Sequence, residues 1–99
     1  MPGPFEGRLS RLIRRRREEL HLTQQQLAEV LGVTADFVSL VESGHRRLSL
    51  DHIGYLAHAL AIHPTFLCKI ALRERAPFFF AQLFADWAGG EASTHGGEA

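Results

Sequence analysis

The stretch from Leu22 to Gly44, LTQQQLAEVLGVTADFVSLVESG, constrains the fold more than any other part of the chain. A hydroxyl residue stands before each of two short amphipathic segments, and a glycine lies between them. Thr23 can accept the free N–H groups at a helix start, and Gln26 can reach back to the Thr23 amide, which makes a capping box. Leu27, Ala28 and Leu31 then share one face. Gly32 suits the left-handed conformation of a helix C-terminus, and Thr34 supplies the next N-cap. The second helix starts at Ala35, buries Val38 and Val41, and stops near Gly44. Ala28 is small enough to let the two helices cross closely, at roughly 8–10 Å between axes.

In these residues the chain resembles the phage-repressor-like helix-turn-helix proteins of the lambda repressor and Cro kind. Leu22-Thr23-Gln24, Leu27-Ala28, Leu31-Gly32-Val33-Thr34, Val38-Ser39, Val41-Glu42 and Gly44 fall at family positions. Arg46, Leu50, Ile53, Leu56-Ala57, Ala59-Leu60 and Ile62 continue the likeness, which covers residues 8 to 75. It implies an all-α fold: a five-helix DNA-binding bundle, here followed by an additional aromatic-rich C-terminal helix. It also implies a structural pair, Arg17 with Glu42, clamping the first helix to the end of the second motif helix. The implied DNA interface comprises Gln24, Thr34, Ala35, Asp36, Phe37, Ser39, Leu40, His45, Arg46 and Arg47, with the helix from Ala35 to Ser43 in the major groove.

Several of these residues have a second reading. Gln24 sits where a side chain and free backbone amides address a phosphate, but it is also an ordinary surface glutamine. Ala35 can touch a thymine methyl, and Ser39 can bond a base or a phosphate. Asp36 can accept from a cytosine amine or simply favour the positive end of its helix dipole. Phe37 can reach the groove or pack on a neighbouring helix.

A formal net charge of zero, from 11 Lys and Arg against 11 Asp and Glu, speaks against a phosphate grip, yet the distribution is uneven. Arginines crowd the first helix from Arg8 to Arg17, and Arg46-Arg47 follow the motif. The run Arg14 to Arg17 wraps round a helix, so some of it is solvated charge balanced by Glu18 and Glu19.

The fourth helix is expected from an N-cap at Ser49, with Leu50, Ile53, Leu56, Ala57 and Leu60 as its core stripe and Gly54 allowing close packing. Pro64 opens a fifth helix whose Phe66, Leu67, Ile70 and Ala71 cover the bundle, with Cys68 expected as a small buried apolar residue. His52, His58 and His63 lack the spacing of a helical metal site, and no metal or other cofactor is expected. No grouping suggests an enzyme, and neither a membrane span nor a signal core appears, so a cytoplasmic location is expected.

The chain therefore divides into a flexible arm at 1–7, a DNA-binding domain at 8–75, an aromatic segment at 76–88 and a disordered tail at 89–99. Phe80, Leu83, Phe84 and Trp87 align on one face of the aromatic segment. That face is a core extension, a homodimer interface or a surface for a protein partner. The expectation is a dimeric regulator of double-stranded DNA, a repressor on an inverted-repeat operator; the alternative is a protein-interaction module or antitoxin working through the aromatic segment. Operator, inducer, regulated genes and the sign of regulation are not encoded in any motif here.

Overall fold

The computed structural model describes residues 1–85 and contains six α-helices among them: α1 (Arg8–Glu19), α2 (Gln24–Leu31), α3 (Ala35–Glu42), α4 (Ile53–Leu60), α5 (Pro64–Arg75) and α6 (Pro77–Phe84). Local chemistry sets their ends. The Gln26 N–H donates to Thr23 Oγ1 at 3.0 Å and the Thr23 N–H donates to Gln26 Oε1 at 2.8 Å, so the capping box of α2 forms as read. Gly32 closes α2 at φ +71°, and Thr34 Oγ1 accepts the Phe37 N–H at 3.1 Å to start α3. His63 caps α5 through Nδ1, which accepts the Thr65 amide at 3.1 Å.

Packed across these helices is one core in which Ile13, Leu27, Ala28, Val38, Leu56, Leu60, Leu67 and Ile70 are buried. α2 lies on α3, α4 on α5, α6 on α5, and α1 touches α3, α4 and α5. Two long-range polar contacts tie chain-distant helices together. Glu74 Oε2 accepts the Leu9 N–H at 2.9 Å, placing an acid at the positive end of α1, and Arg16 Nε donates to the Leu60 carbonyl at the end of α4 at 2.8 Å. Among the described residues no helix is long and apolar enough to cross a membrane.

Five expectations are corrected. Leu50 does not join the core stripe: residues Leu50–His52 form a tight 3-10 turn before α4, and its three-residue period turns Leu50 outward, 54% exposed, while Leu48 is buried. Ser49 makes no cap bond to backbone there; its Oγ meets His52 Nδ1 at 2.7 Å. Gly54 admits no close packing, since a Cβ built on it meets nothing within 4 Å. Cys68 is exposed, because Leu67 beside it takes the inward face of α5.

The fifth correction concerns the N-terminal arm, which is docked rather than free. Gly3 N–H donates to the Ser43 carbonyl at 2.8 Å and Phe5 N–H to the Gly44 carbonyl at 2.7 Å. Gly44 has φ +83°, and a Cβ there would run into the backbone of Glu6, so glycine is required for both reasons. Trp87 and the tail at 89–99 lie outside the described residues.

Candidate nucleic-acid interface

α3 buries Val38 and Val41 and turns Asp36, Ser39 and Leu40 to the surface, with Ala35 half-buried at its start and Thr34 exposed before it. After α3 the chain reverses: the amides of His45 and Arg46 both donate to the Leu40 carbonyl, at 2.8 and 3.2 Å. That turn leaves His45, Arg46 and Arg47 exposed directly beyond the helix. His45 Nδ1 lies 2.8 Å from Ser43 Oγ. A row of small, neutral and weakly acidic groups on α3 thus ends at two guanidiniums.

Phe37 takes the packing alternative. It is half-buried against the core, and the Arg46 guanidinium stands 5.3 Å from its ring centroid. That packing places the Arg46 guanidinium against the ring face. Asp36 is exposed in the first turn of α3, where its charge meets the positive helix end whatever else it does.

The implied pair is present and deeply set. Arg17 grips Glu42 bidentately, Nε to Oε2 at 2.6 Å and Nη2 to Oε1 at 3.0 Å, and its Nη1 donates to the Leu22 carbonyl at 2.8 Å. The Glu42 side chain is only 3% exposed. The bond to Glu42 raises the Arg17 pKa above its usual value against the opposing effect of burial, so this arginine stays charged. Gln24 joins them, its Nε2 donating to Glu42 Oε1 at 3.0 Å. The amide side chain expected to address a phosphate is thus engaged by the clamp, while the N-terminus of α2 remains beside it. The clamp fixes α1, α2 and the end of α3 as one unit.

Much of the remaining arginine charge is spent along α1. Arg14 pairs with Glu18 at 3.3 Å and Arg15 with Glu19 at 3.9 Å, both exposed, and half-buried Arg16 meets Glu19 at 3.3 Å, so neighbouring carboxylates partly neutralise this run. Of the aromatic face, Phe80 is buried and Phe84 half-buried, with ring centroids 5.2 Å apart, whereas Leu83 points outward with Phe78 and Phe79. Sequence reasoning missed Glu74 at the start of α1 and Arg75, which donates to the Leu48 carbonyl. Neither carries a local signal, since each partner is remote in the chain.

A capped helix pair crossing at a left-handed glycine, with an outward second helix followed by basic residues, defines the class: a helix-turn-helix domain. The chain belongs to the helix-turn-helix family, whose model matches residues 13–67, and this is the lambda repressor and Cro kind of DNA-binding domain rather than a catalytic one. An HTH-type transcriptional regulator of Sinorhizobium fredii is 30% identical over 80 residues, covering 76% of this chain and 56% of that protein. One from Mycobacterium tuberculosis is 42% identical over 50 residues, covering 50% of this chain and 36% of the relative. The chain thus spans about half the length of the first of these curated relatives and less of the second. The crystal structure of the restriction-modification controller protein C.AhdI from Aeromonas hydrophila matches with a TM-score of 0.54 at 37% identity, over 60% of this chain and 86% of that one.

Proposed function

We propose that this protein is a sequence-specific transcriptional regulator that binds double-stranded DNA as a homodimer, with α3 in the major groove of each half of an inverted-repeat operator, and that it acts as a repressor in the cytoplasm. The observation that carries this reading is the outward face of α3, with Ser39 and Leu40 exposed, ending at Arg46 and Arg47 while Arg17 and Glu42 hold its orientation. Ser39 and Ala35 read base edges, the α2 N-terminus and Arg46-Arg47 take phosphates, and His45 stands beside them. The relatives named as regulators and the controller-protein fold support it.

Selection of the purified protein against random duplex DNA near physiological salt tests the reading. An enriched inverted repeat is expected, with a log–log salt slope that falls by about 1 in Arg46→Gln. Enrichment of no sequence by folded protein overturns it. A second reading, an interaction module working through α6, has its own support in Phe78 and Phe79, which are 78% and 56% exposed on a helix that packs its other face. Binding that is insensitive to salt and lost on removing α6 would favour that alternative.

A further inference from the structure

Beneath the docked arm a cleft of about 300 Å³ opens between α1, the end of α3 and α5. Its floor is apolar, formed by buried Leu9, Ile13, Val41 and Leu48, and its lining carries Arg47 and Arg75, with Arg46 turned toward Phe37 beside them. That combination, an apolar body site with a few charged groups, is the general form of a small-molecule pocket, here at the small end of the usual size range.

The charges in the lining are not balanced. Of the two carboxylates in the wall, Glu6 pairs with Arg11 at 2.6 Å, and Glu74 accepts the Leu9 amide while its charge acts on Arg75 only from beyond ion-pair distance. Among the described residues no carboxylate lies within ion-pair distance of Arg47 or Arg75. Arg75 spends one donor on the Leu48 carbonyl, and Arg47 lies over the Phe5 ring, 4.9 Å from its centroid. Burial, and after it the charge of Arg47, lowers the Arg75 pKa against the smaller opposing pull of Glu74, as expected for two guanidiniums facing a partly desolvated space. An anion between them would relieve that repulsion, and the planar fork of arginine fits a carboxylate. The floor requires the rest of the molecule to be apolar.

We infer that this cleft binds a small organic carboxylate with an aromatic or branched aliphatic body, and that its occupancy weakens DNA binding by engaging Arg47. The second half rests on the function proposed above; the first does not. The docked arm makes one wall, through Phe5, so the ligand's entry and the arm's position are linked.

The test is a two-dimensional NMR titration of the whole protein, without DNA and at constant ionic strength, with phenylacetate and 4-methylvalerate as probes and phenylacetamide as the uncharged control. We expect saturable shifts at Ser10, Val41 and Leu48 with a Kd on the order of 1 mM or tighter. Phenylacetamide should bind about tenfold more weakly, and Arg47→Gln, a surface change that leaves the fold intact, should weaken phenylacetate by a similar factor. Absence of saturation by both carboxylates, shifts no larger there than at remote Val30, or equal binding of the amide overturns the site. DNA affinity is then measured with and without phenylacetate. A protein that binds phenylacetate but no DNA keeps the cleft and loses the regulator reading; one that binds DNA but no carboxylate does the reverse, and unchanged DNA affinity with the cleft filled overturns the coupling.

Discussion

Glu42 is the residue on which the interface depends, because its carboxylate accepts from Arg17 and Gln24 while almost wholly removed from water. Charge buried in this way stabilises only while its partner is there. Glu42→Ala leaves the Arg17 guanidinium, 11% exposed, with only the Leu22 carbonyl and a long 3.9 Å contact to the exposed Glu18, and is expected to cost about 3–5 kcal/mol in urea denaturation. Replacing both partners by apolar residues, Arg17→Met with Glu42→Leu, is expected to recover most of that loss, since neither charge is then stranded. A double variant as unstable as Glu42→Ala would show that shape rather than charge sets the cost. At this scale the pair was readable only through the family likeness, and the third member was not readable at all. Gln24 and Glu42 lie on different helices, and nothing in either neighbourhood of the sequence marks their meeting.

Helices α2 and α3 formed where their caps and periods placed them, because those signals act within one turn of the chain. α4 departed from expectation for an equally local reason. The 3-10 turn shifts the phase of its first residues, so a stripe counted at 3.6 from Leu50 includes a residue that faces water. Two blemishes in α4 give predictions of stabilisation. Gly54 stands on an open surface inside the helix, and Gly54→Ala is expected to add about 1 kcal/mol. Ala61, which ends α4 in the left-handed region at φ 54°, is a non-glycine residue in a glycine conformation. Ala61→Gly removes the contact of its Cβ with the following carbonyl and is also expected to add about 1 kcal/mol, less whatever the freer unfolded chain takes back. Thermal midpoints of the two single variants check both, and a fall in either would mean that the side chain there is used.

At the scale of the whole molecule, the contacts hardest to foresee were those made by backbone and by outward faces. Gly3 and Phe5 donate main-chain bonds to Ser43 and Gly44, a contact that no pattern of side chains announces, which is why the arm read as free. The aromatic segment read as a single face, yet α6 uses two: Phe80 and Phe84 turn inward, while Phe79 and Leu83, one turn apart, lie outward at 56% and 55% exposure. An apolar strip of that kind on a regulator proposed to read an inverted repeat fits a two-fold contact, in which each copy presents the same residues to the other. Two charges placed in such a contact face like charges from the partner and are desolvated against them. Phe79→Glu with Leu83→Glu is therefore expected to halve the solution mass measured by light scattering while leaving the helical circular dichroism intact, since neither residue belongs to the core. The same variant should retain half-sites and lose its preference for paired ones in duplex selection, because each recognition helix would then bind alone. A variant that stays dimeric would place the two-fold contact on another face and leave the strip on α6 to a different partner.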